Sequence, residues 1–401
     1  MKCHEIEKAL IKNMDEMEII DAHEHLPPEA ERLKSAVDFF TFFSHYTHFD
    51  LLCAGMSEEE YQGLLKYDTP LEPRWKTFAP YWEKIRYTSY SKSVLLSVKK
   101  LYGIDDINEK TYLKISEAIK ESNKPGLYDR ILGKTCRIKT ALDQWWGHPD
   151  VLDLGTPLLT PIAATPKLIG KRIGEVKSID GCSDLIREII VEQRGKGAVG
   201  LKIGSKPYVE PNVGLAKSEL GKLLNSELKL YACPNLINYV MDLMVAIAGE
   251  ENMVVAVHTG YWGDFRQVDP LHMIPVVMRH PKTKFDIYHL GFPWLRETLM
   301  MGKGFPNVWL NLCWTHVISQ RCTISAMDEA LDLIPTNKIL AFGGDYMVVE
   351  KVYGHLVMAK EDIARVFAKR IKENDMSEKQ AMDIIKQWLW DNPKELYGLK
   401  I

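Results

Sequence analysis

The chain has 401 residues, of which 46% are hydrophobic, and a formal net charge of −3 at pH 7. Such a chain can bury a large core, whereas its nearly balanced charge provides no broad basic field to attract a nucleic acid. No apolar run approaches the roughly 20 residues that span a bilayer, and the N-terminus lacks the apolar core of a signal peptide. We therefore expect a cytoplasmic protein that acts on a small molecule, without nucleic-acid or membrane partners.

The first predicted elements are a helix over about residues 5–16 and a strand over residues 19–26. The strand carries His23 and His25, and side chains two residues apart on a strand point to the same face. A double proline follows and ends the strand, so the two imidazoles would stand at a strand end as a paired metal ligand. Taken alone, the spacing is equally compatible with two surface histidines at a fraying strand edge.

Residues 29–130 are rich in aromatic residues, with helical periodicity and no alternating strand pattern. The glycine- and serine-rich composition of a linker is absent. We expect a helical insertion that serves either as a lid over the strand-end site or as an oligomer interface. Within it, His45 and His48 lie three residues apart on a predicted helix, a pair that is more typical of packing than of metal binding.

From about residue 135 onward, short apolar strands alternate with helical stretches. Together with the first strand they make about eight strand–helix units, the count of an α/β protein with a (β/α)8 TIM barrel. We expect one barrel domain over residues 1–401, with the helical insertion after the first strand. The later strands are predicted at 137–141, 158–163, 198–203, 253–257, 284–288, 308–312 and 339–342, and the helices at 183–193, 235–248, 271–279, 325–334, 360–373 and 378–390.

Polar residues directly follow three of the later strands: His258, His289 and Asp345. On a barrel they would converge with His23 and His25 at the carboxyl ends of the strands. One such histidine alone is more simply a buried residue with its hydrogen bonds satisfied, but five polar residues at matching strand ends predict a metal site. Nitrogen and oxygen donors without thiolates suit Zn²⁺, with Mn²⁺ or Fe²⁺ as alternatives.

Other side chains near predicted strand ends are candidates for substrate contacts, namely Asp143, Trp262, Arg266 and Trp314. Aromatic faces suit a sugar ring or an aromatic acid, and an arginine suits a carboxylate. Loop packing is the alternative for each of them.

Three common functional signatures are missing from the sequence. The seven cysteines are scattered and form no Cys-x-x-Cys pair, so we expect reduced thiols and no thiolate zinc site. The double proline after the first strand replaces the glycine-rich phosphate loop of a nucleotide-binding protein. There is no Gly-x-Ser-x-Gly elbow of a serine hydrolase.

Five motifs carry a family resemblance. They are Asp-Ala-His-Glu-His at 21–25, His-Thr-Gly at 258–260, His-Leu-Gly at 289–291, Phe-Gly-Gly-Asp-Tyr at 342–346 and Asp-Asn-Pro-Lys-Glu-Leu-Tyr-Gly-Leu at 391–399. Together they resemble the amidohydrolase superfamily, and most nearly its amidohydrolase-related branch of mononuclear hydrolases, decarboxylases and hydratases. The first motif and the insertion after it also resemble the uronate isomerases of the same superfamily. The sequence departs from the branch at Gly344, where a serine is common, and at 346–348, where the usual proline is missing.

The resemblance implies that His23, His25, His258 and Asp345 bind one divalent metal ion and that Asp345 and His289 are catalytic. It implies a metal-dependent hydrolase that directs a metal-activated water at a small carboxylated or sugar-like substrate. Asp345 would take a proton from the water and deliver it to the leaving group, while His289 donates to the substrate or orients the water. The alternatives are a uronate isomerase, a non-oxidative decarboxylase, or a binding protein that only retains the metal.

Lys202 ends the fourth predicted strand, where some members of the superfamily carry a carbamylated lysine that bridges two metal ions. It could instead bind a substrate carboxylate as an ammonium, or cap the strand at the surface. We expect one ion rather than two and a substrate contact for Lys202. Homo-oligomers are common among large barrels, and the sequence does not decide whether this chain forms one.

Overall fold

The structure is a computed structural model that describes residues 2–401. Eight strands pair in parallel and in sequence order, and helices connect them. The strands are β1 (Ile19–Glu24), β2 (Ile138–Asp143), β3 (Leu159–Ala163), β4 (Gly200–Gly204), β5 (Val254–His258), β6 (Phe285–Ile287), β7 (Val308–Asn311) and β8 (Ile339–Leu340). The predicted (β/α)8 TIM barrel is confirmed, and each predicted strand overlaps an observed one.

The barrel closes where the chain beyond β8 runs alongside β1. Ala22 N donates to the Phe342 carbonyl at 2.9 Å, and Asp345 N donates to the His23 carbonyl at 2.8 Å. These bonds continue the pairing past the two residues of β8. As a result, Asp345 stands beside the end of β1.

The helices surround the barrel, and helices also precede the first strand and follow the last one. They are α1 (Cys3–Glu16), α2 (Glu29–Lys34), α3 (Thr47–Cys53), α4 (Glu58–Leu64), α5 (Leu71–Ile85), α6 (Ser89–Tyr102), α7 (Tyr112–Ser122), α8 (Thr165–Arg172), α9 (Gly181–Gly195), α10 (Val213–Leu224), α11 (Pro234–Glu250), α12 (Ile274–Arg279), α13 (Leu295–Gly304), α14 (Thr315–Ile318), α15 (Gln320–Leu333), α16 (Val349–Lys372), α17 (Glu378–Lys386) and α18 (Asn392–Tyr397). None of the helices in residues 2–401 combines the length and apolar character that a membrane span needs.

The helical insertion, residues 29–130, packs around an apolar cluster of its own. Phenylalanines of a 3₁₀ turn at Phe39–Phe43 contact Trp75, Phe78 and Trp82 of α5 there. The insertion meets the barrel where α6 packs against α16. At Gly354 a Cβ would overlap the Ser93 carbonyl, so this close approach of the two helices requires a glycine. The role of the insertion as a lid or an oligomer interface stays a prediction.

Helix α16 begins at Val349, eleven residues earlier than predicted. The prediction was wrong because α16 lies between the barrel and the insertion and is buried on several sides, so that Glu350, Lys351 and His355 are all buried. Buried polar residues interrupt the apolar stripe by which a surface helix is recognised. This position of α16 matters for the site, because the helix starts four residues after Asp345.

Candidate metal centre

His23 and His25 lie side by side at the end of β1, as the two-residue spacing predicts, with ring centroids 4.7 Å apart. Asp345 Oδ1 faces both rings, at 3.1 Å from His23 Nε2 and 3.6 Å from His25 Nε2. One ligand atom from each of the three buried residues lies within 4.8 Å of the others. The structure therefore gathers two nitrogen donors and one oxygen donor around a common point.

The protonation of the two histidines suits metal binding. His25 Nδ1 contacts the Gln144 carbonyl, and because a carbonyl can only accept, this nitrogen carries the proton and leaves the Nε2 lone pair free. Burial lowers the pKa of His23 to about 3 and that of His25 well below its usual value, and the nearby Lys202 lowers both further. Both imidazoles are therefore neutral at neutral pH, which is the form that ligates a metal.

The Lys202 side chain reaches the same point from the end of β4. Its Nζ lies 2.8 Å from His23 Nε2 and 3.0 Å from His25 Nε2, and it donates to the free lone pair of His25 Nε2. The amine of Lys202 thus occupies the space between the nitrogen donors, and burial lowers its pKa. A surface cap, the third alternative for Lys202, is excluded by this position inside the site.

His258 and His289 form a second pair, with His258 Nδ1 and His289 Nε2 at 3.0 Å. His289 Nδ1 donates to the Cys313 carbonyl at 3.1 Å, so its Nε2 accepts the proton of His258 Nδ1. The remaining nitrogen, His258 Nε2, is then an acceptor, and it is buried without a hydrogen-bond partner in residues 2–401. His258 lies outside the cluster of three, so its part as a fourth ligand stays a prediction, although its free lone pair fits that part.

The donor atoms of this centre are of the kinds that bind a divalent metal ion. The donors are two neutral imidazoles and the carboxylate of Asp345. Hard and borderline divalent cations prefer such nitrogen and oxygen ligands. The unpartnered His258 Nε2, a further nitrogen donor at the same cavity, points the same way. The site fits a divalent metal ion.

Tyr46, a residue of the insertion, reaches into the centre and was not predicted from the sequence. Its hydroxyl donates to Asp345 Oδ2 at 2.6 Å. Its ring stacks between Trp314 and Tyr90, with centroids 4.5 and 5.4 Å away. No motif marks this tyrosine, which precedes a short helix in the helical sequence of the insertion.

Four residues at the centre have a left-handed backbone that is uncommon for side chains other than glycine: His45, His289, Trp314 and Asp345, with φ of 69°, 63°, 66° and 58°. They make up four of the nine such residues in the described part of the chain. Such strain persists where the surrounding structure fixes the backbone, and it clusters at functional sites. Its concentration here supports a functional role for this end of the barrel.

A cavity of about 530 Å³ opens above the metal centre, within the size range of small-molecule sites. Its floor is formed by His25, His258, Asp345 and Lys202, and the surrounding wall is largely aromatic and aliphatic. The wall residues are His45, Tyr46, Gln144, Trp146, Pro166, Ile203, Gly204, Lys206, Ile237, Met241, Trp262 and Trp314. Trp262 and Trp314 thus line the cavity, as expected for substrate contacts.

The structure does not bring Asp143 and Arg266 into the cavity. Asp143, the last residue of β2, is buried, and its Oδ1 accepts from the Leu26 amide at 2.7 Å and holds the turn after β1. The Arg266 side chain is 80% exposed and is paired with Asp264 at 2.8 Å. For these two residues the expected position at the substrate is corrected.

Comparisons with solved structures agree with the fold along nearly the whole chain. A glucuronate isomerase from Caulobacter crescentus matches with a TM-score of 0.80 at 14% identity, over 100% of this chain and 95% of that one. A uronate isomerase from Thermotoga maritima matches with a TM-score of 0.78 at 15% identity, over 98% and 97%. A protein from Lactobacillus casei described as a metal-dependent hydrolase matches with a TM-score of 0.70 at 17% identity, over 97% of each chain. At such identities the likeness shows the fold.

Comparisons of sequence identify the family. The chain is 24% identical over 170 residues to protein fluG of Emericella nidulans, a match of 41% of this chain and only 20% of that protein. The model of the family described as Amidohydrolase matches residues 181–399, more than half of the chain. This range holds His258, His289 and Asp345, while the histidine pair of β1 precedes it. The chain belongs to the amidohydrolase family.

Proposed function

We propose that the chain is a metal-dependent hydrolase, with Zn²⁺ as its ion, that acts on a small carboxylated substrate with a ring-shaped or apolar body. The observation that carries the proposal is the double role of Asp345. Its Oδ1 faces the histidine pair, and its Oδ2 accepts from Tyr46. A carboxylate in this position can hold a metal ion and move a proton at the same centre.

His23, His25 and Asp345 would hold the ion, with His258 Nε2 as a fourth donor. A divalent cation bound there supplies Lewis acidity, which polarises a substrate carbonyl and makes a bound water more acidic. Asp345 is ionised at neutral pH because its pKa is held low, so it can accept the proton of an attacking water. It then returns this proton to the leaving group.

Tyr46 and His289 orient these groups. The Tyr46 hydroxyl, by donating to Oδ2, fixes the rotation of the Asp345 carboxylate and leaves Oδ1 toward the histidines. His289 Nε2 accepts from His258 Nδ1 and so leaves His258 Nε2 free to serve as a donor. Its catalytic part would be this orientation rather than donation to the substrate.

The cavity wall supports the substrate class. Trp146, Trp262 and Trp314 come from three different loops and present aromatic faces, which suit a planar or ring-shaped body. Lys206 stands at the cavity, its Nζ donates to Asn238 Oδ1 at 3.0 Å, and it belongs to none of the ion pairs within residues 2–401. An unpaired ammonium beside an aromatic wall suits a substrate carboxylate.

A sugar-acid isomerase is the second candidate. It is favoured by the likeness to two uronate isomerases over nearly the full length of the chain, and by a phenol placed next to the carboxylate. In such a reaction Asp345 and Tyr46 would move a proton between neighbouring substrate carbons, and no water would be consumed.

Isotope incorporation separates the two candidates. The metal-free protein is loaded with Zn²⁺ or Mn²⁺ and incubated with a panel of lactones, amides and esters of small acids and with a panel of uronates. Hydrolysis carries heavy oxygen from labelled water into the acid product. Isomerisation carries deuterium from heavy water onto carbon and leaves the mass otherwise unchanged. Turnover of uronates alone would replace the proposed hydrolase with the isomerase.

The metal-loaded Asp345→Asn variant is the matched control, since it keeps the cavity and loses the proton acceptor. Activity of this variant equal to wild type would contradict the role of Asp345. A loaded wild-type protein that turns over neither panel would leave a metal-binding protein without the proposed activity. Sedimentation of the same samples would show whether the chain forms a homo-oligomer, which the sequence leaves open.

A further inference from the structure

The segment that carries Tyr46 is held from the barrel side by a buried lysine. Lys351 lies in the first turn of α16 and is 1% exposed. Its Nζ donates to the Ser44 carbonyl at 3.0 Å, two residues before Tyr46. A fully buried lysine is uncommon, and here its amine donates a hydrogen bond to a backbone carbonyl of the insertion.

The same Nζ touches the loop that carries Asp345. It lies 4.8 Å from the ring centroid of Tyr346, the residue directly after Asp345. The backbone of Tyr346 is fixed in turn, because its carbonyl accepts from His25 N at 3.1 Å. Lys351 therefore contacts both segments that meet in the hydrogen bond between Tyr46 and Asp345.

The backbone between Ser44 and Tyr46 needs such support. His45 has a φ of 69°, a left-handed conformation that costs energy for a residue with a side chain. The turn is fixed on one side by Lys351 at the Ser44 carbonyl and on the other by the stacking of Tyr46 between Trp314 and Tyr90. Without the first of these contacts, the strained turn can relax and withdraw the Tyr46 hydroxyl.

We propose that Lys351 is a positioning residue that fixes the Ser44–Tyr46 turn, so that the insertion is a permanently docked part of the metal centre and Tyr46 meets Asp345 without a closing motion. The importance of this contact for turnover rests on the proposed function, whereas the positioning itself does not. An amine can donate to a carbonyl in either protonation state. The role therefore holds although burial lowers the pKa of Lys351 to about 7.

The first test is hydrogen exchange on the metal-free protein, comparing wild type with Lys351→Met. Methionine keeps the length of the side chain and replaces a buried amine by an apolar group, so we expect the fold to survive. The amides of His48 and Phe49 donate to the carbonyls of His45 and Tyr46 and report the order of the turn. We expect their exchange to become at least about tenfold faster in Lys351→Met.

Lys92→Met is the matched control. Lys92 also links the insertion to the barrel, through Gln320 Oε1 at 2.8 Å and Glu361 Oε2 at 3.0 Å, but it does not touch the Ser44–Tyr46 turn. We expect unchanged exchange at His48 and Phe49 in this variant. Equal exchange in Lys351→Met and wild type would overturn the proposal, and so would equally faster exchange in both variants. If Lys351→Met does not fold, Lys351→Leu, which also lacks a donor, takes its place.

The second test asks whether Lys351 acts through Tyr46. Co²⁺ serves as the probe, because its visible absorption reports the surroundings of the Asp345 ligand. We expect Lys351→Met and Tyr46→Phe to shift the spectrum in the same way, and the double variant to show no further shift. Additive shifts would overturn the proposed route. A wild-type chain that binds no Co²⁺ would contradict the proposed metal function, while the exchange experiment still decides the positioning role.

Discussion

The Tyr46 hydroxyl donates a hydrogen bond to Asp345 Oδ2 across 2.6 Å, although 299 positions separate the two residues in sequence. One belongs to the insertion after β1 and the other to the loop after β8. The bond joins the insertion to the carboxylate that also faces the histidine pair. The insertion is thus part of the centre, and its removal would open the cavity and free the carboxylate.

Tyr46→Phe removes this hydrogen bond and keeps the stacked ring. We expect turnover to fall by about 10- to 100-fold, because the Asp345 carboxylate loses its fixed rotation. Metal content should stay unchanged, since the Oδ1 atom that faces the histidines is not the one bonded to Tyr46. Steady-state kinetics and elemental analysis of the same sample measure both quantities.

The control for this variant is Tyr90→Phe. Tyr90 stacks on Tyr46 at 5.4 Å and has no hydrogen bond to Asp345. We expect turnover within about threefold of wild type, as for a change that spares the reacting groups. If Tyr46→Phe is as active as Tyr90→Phe, the phenol has no part in the reaction.

Elemental analysis of protein purified without added metal tests the centre itself. We expect about one equivalent of a divalent metal per chain, and its loss in the His23→Ala/His25→Ala double variant, which deletes two of the three clustered donors. His4→Ala, a change at an exposed histidine of α1, should keep the metal. Two equivalents per chain would favour a bridging, carbamylated Lys202. Wild type without metal after reconstitution would remove the metal centre from the proposal.

The barrel and the close approach of His23, His25 and Asp345 could be predicted from the sequence for a physical reason. Short apolar runs predict the strands. The carboxyl ends of parallel strands meet at one end of the barrel, however far apart the strands are in the sequence. The direction of a side chain on a loop lacks such a rule. Arg266 pairs with Asp264, two residues away, and so turns from the cavity. The sequence shows these two opposite charges close together, but it does not show that they lie at the surface, away from the cavity.

The contribution of Tyr46 could not be predicted because it depends on how two separate cores dock. The aromatic residues of the insertion show the same helical spacing whether they pack inside the insertion or reach across to the barrel. The spacing therefore does not distinguish the two cases. Lys351 illustrates the same limit, since a lysine in a helix is ordinarily assigned to the exposed face. Only the position of α16 between insertion and barrel makes it a buried donor.

Asp286, deep in the barrel, is expected to make stability depend on pH. Burial raises its pKa to about 7 from its ordinary value of 3.8, although Tyr397 and Asn311 donate to it. Between these two values the folded chain binds more protons than the unfolded chain, so this group lowers stability as the pH rises from about 4 to 7. One proton changes the free energy of unfolding by at most about 1.4 kcal/mol per pH unit.

Asp286→Asn removes this group while its amide oxygen can still accept from Tyr397. We expect the stability difference between variant and wild type to shift in favour of the variant as the pH is raised from 4 to 7, and to stay constant above 7. Denaturant unfolding of the metal-free proteins at several pH values measures it. A difference that does not change with pH would show that Asp286 ionises with its ordinary pKa.

Gly344 stands where a serine is common in the related branch, and the structure gives a reason. A Cβ at this position would overlap the carboxyl group of Glu24. Glu24 cannot move away freely, because its Oε2 accepts from the Tyr346 amide at 2.6 Å. We expect Gly344→Ala to lower the free energy of unfolding by about 1–3 kcal/mol through overpacking.

A double-mutant cycle identifies this contact as the cause. Glu24→Ala alone leaves the Tyr346 amide without its acceptor and is destabilising, but it also clears the space beside Gly344. The Glu24→Ala/Gly344→Ala protein should therefore be more stable than the sum of the two single effects predicts, by about 0.5–3 kcal/mol. Gly204→Ala is the matched control, since a Cβ there meets nothing within 4 Å, and it should unfold like wild type. Additive effects in the cycle would mean that the collision with Glu24 is not what requires a glycine at position 344.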